Sequence, residues 1–243
     1  MQSIFEVCDA LLWIYRERLG NPEFWAEPLN AFTNASFLIA AFFAWDLASR
    51  RRATTPTTIA LLSLAGVIGF GSFFFHTVPN HFTMWFDVVP IALFQILFLW
   101  LAGNRMLGLS RLASVALIIG VVGSSFALFP LHKPLNGSLF YLPPLLALLT
   151  VGLVWSKRTN CEPYLLVGAA CCFAVAVIAR SVDMIVPWHF GSHFLWHVMN
   201  GVVVYLALRA WIVFVAVEER MEMLAKPLSE PRGRIDHEYA TQQ

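Results

Sequence analysis

Charge is what this chain lacks most. Only 13% of its 243 residues are Asp, Glu, Lys or Arg, against about 25% in a soluble domain, while 58% are hydrophobic and the mean hydropathy is +0.68. A net charge of +1 gives no argument for a nucleic-acid partner, and none is expected. Cysteine is also scarce. Cys8, Cys161, Cys171 and Cys172 form no CxxC pair, and the adjacent Cys171 and Cys172 read as small buried hydrophobes on different sides of a helix. The N-terminus lacks a basic n-region, so no cleavable signal peptide is expected. Lysine is missing from 192–217, which excludes a retinal protein, and no internal repeat is strong enough to use.

Long apolar runs are present instead. Seven approach the roughly 20 residues that a bilayer requires, at 31–48, 57–76, 84–103, 109–129, 138–156, 163–183 and 192–217. The expected fold is an all-α membrane protein, a seven-transmembrane-helix bundle over 31–217. An acidic, amphipathic extracytoplasmic segment (1–30) precedes it, carrying Glu6, Asp9, Glu17, Glu23 and Glu27 among Tyr15, Phe24 and Trp25. A charged cytoplasmic tail (218–243) with Pro227, Pro231 and Gly233 follows, a composition expected to be mobile. Arg50, Arg51, Arg52, Arg105, Arg111, Lys157, Arg158, Arg220, Lys226, Arg232 and Arg234 fall on one side, and only Arg16, Arg18 and Lys133 on the other. The positive-inside rule then places the N-terminus outside and the C-terminus in the cytoplasm.

In that orientation the outer ends of segments two, three and seven carry the reactive side chains. Segment two ends Ser72-Phe-Phe-Phe-His76, segment three opens Trp85-Phe86-Asp87, and segment seven opens His193-Phe-Leu-Trp-His197. Residues i and i+4 share a helix face, so His193 and His197 can reach one ion. Ionisable groups inside a membrane are costly, and a functional role is their default reading. His76, His193 and His197 form the three-imidazole set of a catalytic zinc, which leaves a fourth position open for water. Asp87 would be the general base and acid, and Ser72 would donate to the oxyanion formed at an acyl carbon. That chemistry is hydrolysis of an ester or amide, and the surroundings point to a lipid whose chain lies among Phe73, Phe74 and Phe75. Taken singly, His76 reads as a packed histidine, Ser72 as a small packing residue and Asp87 as a solvated helix-start residue. His81 and His189 are rival ligands placed in connecting loops, and His132 and His237 are loop and tail residues. Arg180 and Asp183, three apart, are expected to form an ion pair across one turn, with Arg180 as a possible contact of Asp87 or an N-terminal carboxylate.

The ordered set Ser72-x-x-x-His76, Asp87 and His193-x-x-x-His197 resembles the CREST superfamily of seven-helix membrane hydrolases. Within it the chain is most similar to the alkaline ceramidases, above all their bacterial relatives. Supporting text is Phe24-Trp-Ala-Glu27-Pro-Leu-Asn30-Ala-Phe-Thr33-Asn34, Arg180-Ser-Val-Asp183 and Gly191-Ser-His193, and the likeness runs to about residue 215. It implies a zinc-dependent amidase of the bacterial inner membrane that releases a fatty acid and a sphingoid base from ceramide. His76, His193 and His197 would be the zinc ligands, Asp87 the acid/base and Ser72 the oxyanion donor. It also implies a structural calcium on the N-terminal segment, held by Glu27 and Glu17 with Asn21, and with Glu23 as a substitute. Here Arg16 stands where the motif has cysteine, and one acidic position falls on Ile14. A solvated acidic arm is the alternative. Partners would be the bilayer and an N-acyl lipid. A different lipid for the hydrolase, a receptor of the progestin and adiponectin type, and a metal transporter are the other classes. Transport would need ligands through the whole membrane depth, and the inner halves are nearly bare.

Overall fold

The structure is a computed structural model and describes residues 12, 15–131 and 134–225. The readings made for Glu6, Cys8, Asp9, Ile14, His132, Lys133 and the tail from Lys226, His237 included, lie outside the described residues. Among those described, seven helices are long and apolar enough to cross a membrane: α1 (Pro28–Arg50), α2 (Pro56–Thr77), α3 (His81–Met106), α4 (Arg111–Leu131), α5 (Leu135–Ser156), α6 (Leu165–Val182) and α7 (His193–Ala225). The described residues contain no strand. The protein is an all-helical, multi-pass membrane bundle.

Local chemistry sets the ends. Thr55 caps α2 through the Thr58 amide, with Pro56 at the first helical position, where its missing N–H costs nothing. Asn80 and Thr83 form a reciprocal capping box at the start of α3, so His81 is the first residue of that helix rather than a loop residue. α7 continues eight residues past the boundary expected at 217. It packs against α1 and α6, while α2 pairs with α3. Trp211, Leu208 and Ile212 of α7 meet Ala44 and Ala48 of α1, Leu61 and Ala65 of α2 and Leu166 of α6. Small residues at these crossings let the helices approach without a polar driving force.

The outer face is as apolar as the core. Phe42, Phe43, Ile119, Phe126 and Ile178 are exposed, a surface that a soluble protein avoids and that hydrocarbon covers at no cost. Cys171 is exposed among them and Cys172 half-buried, so neither is the buried small hydrophobe expected. Apolarity of the run says nothing about which side of a lipid-embedded helix faces inward.

The two ends differ in chemistry. One gathers the histidines. At the other, Glu162, in the α5–α6 connection, accepts from Arg51 (3.4 Å) and Arg209, and Arg105 pairs with Glu218. The Arg209 hydrogen bond first, with the charges of Arg209 and Arg51 added, holds the Glu162 carboxyl below its ordinary value although burial pushes it up. A depressed carboxyl pKa contributes stability above its unfolded value of about 4.3, lost as pH falls through the folded one. These side chains are about a third exposed, so Glu162→Gln should cost only about 0.5–1 kcal/mol at pH 7. Melting curves from pH 7 to 3 should show the difference from wild type closing below about pH 4. A pH-independent difference would remove the ion pairs as its cause.

Candidate metal centre

α2 and α3 form a helical hairpin through Val78, Pro79 and Asn80, which brings the end of one level with the start of the other. Gly71 sets how closely they touch. A Cβ on it would lie 2.8 Å from the carbonyl carbon of Phe86 and nearer still to its oxygen, so here the helices meet backbone to backbone. Asp87 thereby sits beside the Ser72 hydroxyl, with the charges of His76 and Arg180 also reaching it. Asp87 Oδ1 is buried and has no hydrogen-bond partner among the described residues. Rather than a solvated helix start, Asp87 is the seventh residue of α3.

The other two imidazoles come from α7, whose first turn is fixed from outside. Asp183 Oδ1 accepts from the backbone amides of Ser192 (2.7 Å) and His193 (2.8 Å), and Oδ2 accepts from the Arg16 amide (3.0 Å). A carboxylate at a helix N-terminus satisfies otherwise unpaired amides and the positive end of the dipole. The loop can turn this tightly because Gly191 has φ +64°. Any Cβ there would strike the Asp183 carboxylate. The Ser192 hydroxyl donates to the Ala179 carbonyl (2.6 Å), tying the turn to α6.

The three buried histidines converge as a result. Their ring centroids are 4.7 Å (His76–His197), 4.7 Å (His193–His197) and 5.3 Å (His76–His193) apart. One ligand atom from each lies within 4.8 Å of the others, a group able to hold one metal ion. Second-layer contacts orient two of the rings. His76 Nδ1–H donates to Glu27 Oε2 (2.6 Å), which turns Nε2 inward. The Thr33 hydroxyl gives its proton to the Leu29 carbonyl (2.8 Å), so it accepts from His197 Nδ1–H (3.0 Å), again leaving Nε2 for a ligand. His193 stacks on Tyr15 (3.8 Å, 20°), and its Nδ1 is buried with no partner among the described residues. Three convergent imidazoles, two of them held in one tautomer by their outer partners, are a donor set that zinc takes. The residues fit the metal.

They do not fit calcium. Glu17 accepts from the amides of Leu29 and Asn30 (2.8 Å each) and so caps α1. Glu27 is buried and committed to His76, Asn30 Nδ2 (2.9 Å) and Arg18. Burial would raise its carboxyl pKa, but His76, Asn30 and Arg18 hold it below the ordinary value. The Asn21 side chain accepts from the Glu23 amide (2.9 Å). The carboxylates of Glu17 and Glu27 and the side-chain oxygen of Asn21 are each engaged by donors of the protein itself.

The Arg180–Asp183 ion pair is likewise not formed. Asp183 is taken by the α7 amides, whereas Arg180 Nη1 donates to the Tyr15 hydroxyl (3.0 Å), beside the rings of Tyr15, Tyr141 and Trp196 at 5.4–5.6 Å. The acceptor from the N-terminal segment is therefore a phenol, not a carboxylate. His189 is exposed in the loop before α7 and His81 is exposed at the start of α3, and neither joins the three-histidine group.

Sequence reasoning missed Thr33, Tyr15, Arg18 and the bond from Glu27 to His76. One signal was available: Glu27, Asn30, Thr33 and Asn34 repeat at i, i+3, i+6 and i+7, a polar stripe at the head of an apolar helix. The place of the apolar cavity also differs. It lies one turn deeper than the histidines: Ile68 is four residues before Ser72, Ile91 four after Asp87, and Asn200 three after His197. Phe37, Phe94 and Trp196 line it too, but Phe73, Phe74 and Phe75 do not. Phe74 faces outward, and Phe75 packs with Leu12, Tyr15 and Met84.

Comparison with known families matches the chain to the family described as Ceramidase, over residues 21–163. The matched stretch is more than half of the chain and includes Glu27, Thr33, Ser72, His76 and Asp87; His193 and His197 come after it. No curated protein and no solved structure matches. Members of that family are metal-dependent and act on amide bonds, as the buried histidine group would lead one to expect. The chain belongs to the ceramidase family, a group of membrane hydrolases.

Proposed function

We propose that this protein is a zinc-dependent amidase that cleaves the N-acyl bond of ceramide or a related N-acyl lipid, releasing a fatty acid and a sphingoid base. The observation that carries the reading is three buried imidazoles within ligand distance of one another, with the Ser72–Asp87 pair beside them and an apolar cavity one turn below. His76, His193 and His197 would hold the ion. Bound zinc supplies Lewis acidity, which lowers the pKa of a water toward about 7 and polarises a carbonyl. Asp87, whose buried Oδ1 has no partner among the described residues, takes a proton from water and returns it to the leaving amine. Ser72 donates to the oxygen on which negative charge develops. Glu27 and Thr33 fix the His76 and His197 tautomers. The cavity takes an acyl chain and strips its hydration, so the scissile amide is held at the histidine level. The excess of arginine at the opposite end favours an extracytoplasmic site, with the arginine-rich end in the cytoplasm.

The purified protein should carry about one zinc per chain. In an untargeted comparison of lipids incubated with the active protein and with His197→Ala, one N-acyl lipid class should disappear and its free fatty acid accumulate. Zinc bound in full with no lipid consumed would instead favour a receptor. No zinc at all would remove the mechanism.

A further inference from the structure

The calcium implied for the N-terminal segment has a physical substitute already in the chain. Arg18 is buried, and its guanidinium is surrounded by oxygen. Nη1 donates to the backbone carbonyls of Asn21 (2.8 Å) and Glu23 (3.1 Å), Nε donates to Glu27 Oε1, and Nη2 donates to the backbone carbonyl of His76 (2.7 Å). Two carbonyls of one tight turn, a carboxylate and a further carbonyl from another element make the kind of oxygen set that a hard divalent cation gathers. Here the positive charge at its centre is covalently attached. A guanidinium offers five N–H donors in a fixed plane and keeps its charge at any physiological pH, so it can take several acceptors at once without a free ion.

We propose that Arg18 is the resident cation of this site, locking the N-terminal segment to the end of α2 and making that junction independent of calcium. Two of its bonds bear on the candidate metal centre. It holds the carbonyl of His76 itself, and it holds Oε1 of the same Glu27 whose Oε2 receives His76 Nδ1. Arg18 is thus a positioning residue that acts through Glu27 and the backbone on the orientation of one imidazole. This second part rests on reading His76 as a zinc ligand; the calcium independence does not. An ion of about six to eight oxygen ligands would have to displace the guanidinium from a pocket where it is already fully used.

The test uses the full chain in detergent. Dialysed against millimolar CaCl2, the wild-type protein should retain under about 0.1 calcium per chain by metal analysis, and should melt at the same temperature in calcium, in magnesium and in calcium-depleted buffer. Stoichiometric calcium together with a calcium-dependent melting temperature overturns the proposal. Arg18→Ala should melt at least about 5 °C lower, because it leaves buried carbonyls and a buried carboxylate oxygen without donors. It should also lose zinc to a competing chelator roughly 10-fold faster. Arg18→Lys should fall between the two, since one ammonium cannot span the acceptors that the fork reaches. Arg18→Ala indistinguishable from wild type in both melting and zinc loss overturns the proposal as well. If Arg18→Ala does not fold, Arg18→Lys and the wild-type calcium comparison decide. His197→Ala separates the two readings, because it should shed zinc yet stay indifferent to calcium.

Discussion

His197→Ala should bind no zinc and show no turnover, whereas Asp87→Asn should keep the metal and still lose turnover. The split follows from where the two side chains stand. His197 offers one of three ligand nitrogens that lie within 4.8 Å of one another, and its other ring nitrogen is held by Thr33. Removing it leaves two imidazoles, below the three protein ligands that catalytic zinc sites use. Asp87 lies beside Ser72, outside the histidine group, with Oδ1 buried and without a hydrogen-bond partner among the described residues. The amide of asparagine is nearly the same size but takes no proton at neutral pH. Activity should therefore fall about 10²–10⁴-fold, the usual range for a lost general acid/base, at unchanged zinc content. Metal analysis and amide hydrolysis on the same preparations give both readings. An active His197→Ala protein would sink the zinc reading. Asp87→Asn that loses metal would make Asp87 a ligand instead of a proton carrier.

The largest expected effect outside that group belongs to a residue with no side chain. Gly71→Ala forces a methyl into the backbone of Phe86, which cannot move aside as a rotamer would. α2 and α3 must separate, and overpacking of this kind costs about 1–3 kcal/mol. In a chain of this size that corresponds to a melting temperature lower by roughly 2–12 °C. The separation also carries Asp87 away from Ser72 and His76. A misplacement of about 1 Å can cost roughly 100-fold in rate, so turnover should fall even below the melting temperature. Gly120 and Gly123 in α4 are the controls. A Cβ on either meets nothing within 4 Å, so alanine there should be neutral or stabilising by about 0.5–1 kcal/mol. Gly71→Ala with wild-type melting and wild-type rate would show that close contact of the two helices is not needed.

The seven spans could be read from composition, because hydrocarbon imposes one length and one polarity on every crossing segment. The level of Ser72, His76, Asp87, His193 and His197 followed from the same count, since alternate crossings put particular helix ends on one side. Partner choice could not be read this way. Asp183 looked like the mate of Arg180 because they are one turn apart. It instead bonds amides nine and ten residues on, after a loop that Gly191 folds back. The family resemblance implies that Glu27 is a calcium ligand. Its contact with His76 spans 49 residues, and nothing in the local pattern of either residue marks the other. Spacing along one helix is encoded locally, whereas contacts between helices depend on how they cross.

The place of α7 in the bundle has a consequence in time. It packs against both α1 and α6, and it brings two of the three imidazoles. Synthesis proceeds from the N-terminus at about 5–20 residues per second, and about a hundred residues separate Asp87 from His193. For roughly 5–20 s, therefore, a nascent chain already carries Glu27, Ser72, His76 and Asp87 in the membrane without a complete ligand set. On the proposed reading, metal capture would be a late event of assembly, and a chain that stalls before α7 would leave an inert bundle behind.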